Sequence, residues 1–256
     1  MPAGFDRQHF ESAKRFGADV ISALSAACDE KALQTVVADI GHDMGFQHWA
    51  LFSHEDHRIP RPGRVAVLAY PQAITDRIID QGHYRRDPVM RGCNRAARAF
   101  IWSELGGLID MDRRDRSTLE FGARHGLSEG ITIPCKRFGH CVGSTTFAGN
   151  LSTERVEKLR GIVDMIGVLA FQQARVVAGE PLIKEPRPRL NQRSRDCIIL
   201  FARGLSNKLI ARALGVTPRT VEGYLREAFR LFNAKTRAEL LARALLAGEI
   251  GAHELG

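Results

Sequence analysis

Residues 190–250 read LNQRSRDCIILFARGLSNKLIARALGVTPRTVEGYLREAFRLFNAKTRAELLARALLAGEI, and their start and stop signals divide the stretch into four short helices. Asn191 can cap a first helix that Gly204 ends, and Ser206 a second that Gly215 ends. Thr217 can cap a third, with Pro218 at the first helical position, where its missing N–H costs nothing. Thr236 and Glu239 have capping-box spacing for a fourth. Only Gly215-Val216-Thr217 separates the second helix from the third. A connection that short, opening on glycine, makes the two helices cross steeply, which is the helix-turn-helix arrangement.

The third helix has two faces. Val221, Tyr224, Leu225, Ala228, Phe229 and Phe232 recur at three- and four-residue spacing and should face a core. Arg219, Thr220, Glu222, Gly223, Arg226 and Arg230 are left outside. A glycine inside a helix costs about 1 kcal/mol against alanine, and close approach to another surface would explain Gly223. Arginine can donate two bonds to guanine in a major groove, so Arg219, Thr220, Gly223 and Arg226 are candidates to face bases. Lys208, Thr217, Arg230, Lys235 and Arg237 are candidates for phosphates, which set register rather than sequence. An ordinary helical bundle with a solvated basic face is the plainer alternative, but caps, turn length and charge agree on DNA.

The charge is uneven. The chain carries +8 in total, and Glu185 to Gly256 alone holds 13 Lys/Arg against 7 Asp/Glu. A basic module beside a near-neutral partner is the footprint of phosphate binding. The five cysteines are odd in number and scattered, with no zinc-finger spacing, so reduced thiols in a cytoplasmic protein are expected. There is no apolar leader and no apolar run of transmembrane length, so no membrane partner is expected.

Residues 177–189, VAGEPLIKEPRPR, read as a linker between a domain at 1–176 and one at 190–256. Before it, helical periodicity over 17–43 breaks at Asp29-Glu30. Strands are expected at Gln47 to Ser53, Gly63 to Ala69 and Arg98 to Trp102, and helices at Pro71 to Gln81 and Arg113 to His125. Gly130 to Lys136 and Cys141 to Ala148 should pair through a glycine-containing turn, and Thr153 to Val176 forms a long helix. The fold class is therefore α+β: an α/β/α sandwich around a mostly antiparallel sheet, plus an all-α four-helix helix-turn-helix domain.

At this point the chain resembles the LuxR family of quorum-sensing regulators over Gly45 to Ile250. Ile198, Gly204, Ile210-Ala211, Leu214-Gly215-Val216 and Arg219-Thr220-Val221 sit as in its DNA-binding domain. Tyr70-Pro71, Asp87-Pro88, Trp102, His125-Gly126-Leu127 and Gly130 match its autoinducer-binding domain in order and spacing. The resemblance implies a homodimer in which a ligand in the N-terminal domain controls binding to double-stranded DNA, with RNA polymerase as a further partner. It implies that Asp87 accepts from a ligand amide, Tyr70 bonds the acyl carbonyl and Trp102 packs on a lactone ring, and it places Gly130 in the same site. The signal is then an acyl-homoserine lactone or another hydrophobic molecule, and no other cofactor is implied.

The departures from the family pattern bear on the ligand. Ile74 and Ile78 stand where the family has a lactone-bonding Trp and a Tyr, and neither can donate. Phe52 occupies a strand position where smaller residues often line the pocket. These changes predict a greasier, differently shaped pocket. In the DNA-binding domain Ser194 replaces a Glu, and Asp196 is a candidate for part of its role. The helix 153–176, with its stripe Val156, Leu159, Val163, Ile166 and Ala170, and the last helix, with Leu241 and Leu245, are candidate dimer surfaces; intradomain core is the alternative for the first. His54-Glu55-Asp56-His57 reads as a solvated loop rather than a metal site, and Cys135 and Cys141 as reduced thiols rather than a redox pair across the hairpin. Two alternatives stay open: a ligand-independent regulator whose pocket is filled by Phe52, Ile74 and Trp102, and an enzyme, for which the sequence shows no polar cluster.

Overall fold

Asp29, where the N-terminal periodicity breaks, accepts from the Ala32 amide at 2.8 Å and so starts a new helix. It separates α1 (Arg7–Ala26) from α2 (Glu30–Asp43). The computed structural model describes residues 7–55, 57, 61–137, 140–180 and 188–255. The chain divides into two compact units, Met1–Leu182 and Ile183–Gly256. The expected linker falls largely on 181–187, outside the described residues.

In the first unit α2 leads into β1 (His48–Ser53), β2 (Ala66–Ala69), α3 (Gln72–Ile78), a 3-10 turn at His83–Arg86 and α4 (Pro88–Arg95). Then come β3 (Phe100–Ile101), a 3-10 turn at Trp102–Glu104, α5 (Leu105–Leu108), α6 (Arg113–Arg124), β4 (Glu129–Arg137), β5 (His140–Gly149) and α7 (Thr153–Val177). The strands form one sheet in the order β2-β1-β5-β4-β3, and every pairing is antiparallel. The expected hairpin pair is β4 and β5, with Ile133 opposite Thr145, while its glycine turn lies outside the described residues.

Two-residue alternation along the strands sorts the faces of the sheet. Trp49, Leu51, Ile131, Ile133 and Phe147 join Leu24, Leu33 and Val37 of α1 and α2 and Val156, Val163 and Ile166 of α7 in the main core. Their neighbours Ala50, Phe52, Ser144 and Thr146 turn to the other side, where α3, α4 and α6 also contribute. A register shift opposite Cys135 and Lys136 breaks that alternation on β5 and separates two thiols: Cys135 belongs to the α7-side core, whereas Cys141 packs with Cys93 of α4. A redox pair of Cys135 with Cys141 is therefore not the arrangement present.

The expected strand over 98–102 is shorter, because Trp102 already begins a 3-10 turn. A nearly buried arginine explains how so short a strand is held. Arg160 of α7 donates to the Ala99 carbonyl at 2.8 Å and to the Glu104 carboxylate at 2.7 Å, and Glu104 accepts from the Ile101 amide at 3.0 Å. The α7 stripe considered as a dimer surface is core: Val156, Val163, Ile166 and Ala170 are fully buried and Leu159 packs against them. The exposed apolar side chains near it are Met165 of α7 and Ile21 of α1.

The second unit contains α8 (Gln192–Ala202), α9 (Asn207–Leu214), α10 (Pro218–Leu231) and α11 (Arg237–Ala247), then a 3-10 turn at Ala252–Glu254. Asn191, Ser206, Thr217 and Thr236 each accept from an amide three residues on, so all four caps form as read. Gly215 ends α9 at φ 67°, a left-handed conformation that glycine adopts without strain. The capping box differs in detail, since Glu239 reaches the Lys235 amide rather than that of Thr236. Cys197, Ile198, Ile210, Val221, Leu225, Ala228 and Leu240 make the core of this unit. None of the described helices is long and apolar enough to cross a membrane.

Candidate functional site

Between the sheet and α3, α4 and α6 lies a cavity of about 90 Å³. That is room for several water-sized groups in a row. Six of the seven side chains or positions singled out from the sequence line it: Phe52, Tyr70, Ile74, Ile78, Asp87 and Trp102. They come from β1, the β2–α3 connection, α3, the cap of α4 and the turn after β3. Gly130 does not line the cavity. A β-carbon built there would stand 2.7 Å from the Trp102 ring, so its role is to let the indole lie against β4.

Asp87 has two jobs. Its Oδ1 accepts from the Val89 and Met90 amides at 2.8 and 3.2 Å, which caps α4 ahead of Pro88. It also faces the cavity, and burial raises its carboxyl pKa despite those two donors. The geometry permits a helix-capping role and a ligand role together. Burial, with the Asp87 charge adding to it, pushes the Tyr70 hydroxyl well above its ordinary pKa. Tyr70 is thus a fixed hydroxyl donor beside a carboxylate acceptor.

Trp102 is anchored through its indole N–H. Its indole Nε1 donates to Thr132 Oγ1 at 3.0 Å, and Thr132 bonds Thr146 at 3.0 Å. The indole face remains at the cavity, but its N–H is engaged. Ile74, Leu127 and Ala148 form an apolar cluster against which Ile78 and Trp102 both pack. At the rim the Arg77 guanidinium lies 4.5 Å from the Phe121 ring centre and donates to His83 Nδ1 at 3.1 Å.

The sequence reading missed Ser144, Thr146, Leu119 and Phe121. The first two share a strand face with Ala148, so two-residue periodicity on β5 would have placed them. The α6 pair follows helical spacing, but nothing local says what that face meets. The expected solvated loop after β1 is also corrected. His57 stacks on Phe52 with ring centres 4.3 Å apart and its Nε2 bonds the Ser53 carbonyl oxygen at 2.7 Å, so it backs a pocket wall; Asp56 lies outside the described residues.

On the second unit, Arg219, Gly223 and Arg226 of α10 are exposed, as are Lys208, Arg230 and Lys235. A methyl group built at Gly223 meets no described atom within 4 Å. Nothing within the described chain therefore requires glycine there. Thr220 is half-buried, and its hydroxyl pairs with the capping Thr217 hydroxyl at 2.8 Å, so these two act first as a cap. Arg226 stands 3.5 Å from Glu222 one turn earlier, both strongly exposed. Arg237 is exposed as well, and its guanidinium lies 4.2 Å from the Phe201 ring centre. Ser194, at the position of the expected acid, is buried, and its Oγ has no hydrogen-bond partner among the described residues.

Residues 29–174 match the family described as the autoinducer binding domain, and residues 188–244 that of bacterial regulatory proteins, luxR family. The transcriptional activator protein AnoR of Acinetobacter nosocomialis is 22% identical over 90% of this chain and 97% of its own. The quorum sensing-dependent transcriptional regulator RpaR of Rhodopseudomonas palustris is 26% identical over 91% of this chain and 92% of its own. Among solved structures, Escherichia coli SdiA is similar with a TM-score of 0.58 at 14% identity, over 92% of this chain and 98% of its own. A structure of SdiA in complex with octanoyl-rac-glycerol has a TM-score of 0.58 at 14% identity, over 96% and 97%. CepR2 of Burkholderia cenocepacia, described as N-acylhomoserine lactone dependent, has a TM-score of 0.52 at 17% identity, over 64% and 95%. The structural likenesses carry the fold alone.

Proposed function

The chain belongs to the LuxR family of autoinducer-binding transcription regulators, and on that premise we propose that its signal is an uncharged acyl amphiphile other than a plain acyl-homoserine lactone. The family makes it a ligand-responsive, DNA-binding regulator of the quorum-sensing type and not an enzyme. One observation carries the ligand reading. Asp87 and Tyr70 offer an acceptor and a donor, while the wall where a lactone carbonyl would need a donor is Ile74 and Ile78, and the Trp102 N–H is held by Thr132. A buried carbonyl without a donor costs about 1–3 kcal/mol. A head group with a hydroxyl or amide for Asp87 and a carbonyl for Tyr70 meets both polar groups, and its slim acyl chain follows the apolar wall. The acylglycerol bound by SdiA has that chemistry. The open cavity between Phe52, Ile74 and Trp102 argues against a regulator whose pocket is filled.

In this reading Arg219, Gly223 and Arg226 face bases, and Lys208, Arg230 and Lys235 meet phosphates. Thr217 and Thr220 position the start of α10, and Arg237 holds the helix packing through Phe201. The protein acts as a homodimer on a two-fold operator and contacts RNA polymerase from there. The division into a signal domain at 1–176, a linker at 177–189 and a DNA-binding domain at 190–256 is part of the same proposal. Calorimetry of the full chain against octanoyl-glycerol and octanoyl-homoserine lactone is the test. The acylglycerol should bind at least about tenfold more tightly, which is 1.4 kcal/mol. Equal or tighter lactone binding would overturn the ligand reading and leave the family untouched.

A further inference from the structure

Behind the floor of the cavity three side chains converge that the pocket itself does not use. His54 follows β1, Cys93 lies on α4 and Cys141 lies on β5. Their ligand-capable atoms all lie within 4.8 Å of one another. Cys93 is fully buried, and His54 and Cys141 are half-buried. The His54 amide donates to the Val142 carbonyl at 3.0 Å, which fixes its backbone beside β5.

The orientation of the imidazole is the telling feature. His54 Nε2 bonds Ser144 Oγ at 2.9 Å, and Nδ1 stands 3.6 Å from Cys141 Sγ. A neutral ring that donates from Nε2 to Ser144 keeps its Nδ1 lone pair for the thiols. A ring held by a hydrogen bond on one nitrogen, with the other turned to a ligand set, is the usual support of a metal-bound histidine. Two cysteine sulfurs and one imidazole suit a thiophilic ion. Around a tetrahedral ion with bonds of roughly 2.0–2.3 Å, ligand atoms stand roughly 3.4–3.8 Å apart. The His54–Cys141 edge already has that length, and the longest edge needs about 1 Å of side-chain rotation.

We propose that His54, Cys93 and Cys141 form a binding site for a thiophilic d10 cation, Zn2+ with a water as fourth ligand or Cu+ with the three side chains alone. Binding displaces the thiol protons to solvent. A surface depression lined by His54, Met90 and Asn94 gives a route from solvent. A simple disulfide would use the two thiols but gives no reason for the aim of His54. Because Cys93 belongs to the helix that Asp87 caps, and Ser144 lines the cavity, the cation would tie α4 to β5 directly behind the signal pocket.

The test uses the full chain, reduced and stripped with a chelator, then titrated with Zn2+ or with Cu+ in competition with a chromophoric chelator. Wild type and Cys28→Ser, which alters an exposed thiol outside the cluster, should each bind one equivalent of at least one of the two ions. His54→Gln and Cys141→Ser should weaken that binding by at least about tenfold. The ion that binds at one equivalent distinguishes the four-ligand from the three-ligand form. His54→Gln spares the buried Cys93, so the test does not depend on a variant that cannot fold. Binding of neither ion, binding unchanged in His54→Gln, or peroxide-driven Cys93–Cys141 cross-linking in a chain that binds no ion would each overturn the proposal.

Discussion

Trp102 spends its indole N–H on Thr132, 3.0 Å away across the sheet face, and Thr132 in turn bonds Thr146. The sequence contains only two tryptophans, and the other, Trp49, is buried in the main core. Neither indole N–H is therefore left over for a lactone carbonyl. The donor that the family places at position 74 is absent, and neither tryptophan of the chain supplies it.

Restoring that donor should change the preference. Ile74→Trp is expected to raise affinity for acyl-homoserine lactones by about tenfold or more, one hydrogen bond being worth roughly 1–2 kcal/mol. It should lower affinity for longer acyl chains, because the indole takes volume from a cavity of about 90 Å³. Calorimetry over a chain-length series checks both effects. A lactone affinity that does not move would show that position 74 does not face the head group.

Asp87 lets its two roles be separated. Asp87→Ala loses the cap of α4 at a cost of about 1 kcal/mol and should also lose all ligand response. Asp87→Asn keeps an acceptor for the Val89 and Met90 amides but loses the carboxylate. Burial raises the Asp87 pKa, so the folded chain holds that proton more tightly than the unfolded one. The stability this brings is full below the unfolded pKa and is lost as pH rises through the folded one. At neutral pH the charged carboxylate is a net cost relative to the protonated form. Asp87→Asn should therefore match or exceed wild-type stability in urea at pH 7, and the advantage should shrink as pH falls toward the unfolded value. A neutral-pH loss equal to that of Asp87→Ala would mean that the carboxylate charge itself is required for the fold.

Gly223 predicts opposite changes in stability and DNA affinity. Gly223→Ala should stabilise the chain by up to about 1 kcal/mol, since a methyl group there meets no described atom. If α10 lies in a major groove, the same methyl group weakens operator binding. Arg219→Ala should cost about 1–3 kcal/mol in operator affinity with no loss of thermal stability. Paired melting and gel-shift titrations read both, and an Arg219→Ala chain with unchanged operator affinity would remove that side chain from the readout.

Ser194 buries a hydroxyl without a partner among the described residues. Removing an unpaired buried polar group is neutral or favourable. Ser194→Ala should therefore raise the urea midpoint slightly or leave it where it is. A loss above about 1 kcal/mol would reveal a hydrogen bond to solvent or to another surface at that position.

The two units differ in how much of them could be read in advance. In the second, Asn191, Ser206, Thr217 and Thr236 cap their helices, and Gly215 turns the chain, as their residue types and spacing indicate. Each of those interactions joins atoms three or four residues apart, so the information is local. The contact of Arg237 with Phe201 is of another kind: it crosses the unit, and no local spacing indicates it. In the first unit the strands and long helices follow from periodicity. The family pattern brought Tyr70, Asp87 and Trp102 to one cavity, because their order survives in the chain. What tertiary structure alone decided is how those groups are already engaged. Asp87 is half consumed by its helix, and Trp102 is satisfied by a threonine 30 residues away. The α7 stripe is core rather than interface because the sheet covers it, which no pattern within the helix reveals. His54 meets Cys93 and Cys141 because β1, α4 and β5 close on one point. A pair 87 residues apart, such as His54 and Cys141, leaves no local trace. Side-chain periodicity says which face is buried, and only the packed chain says against what.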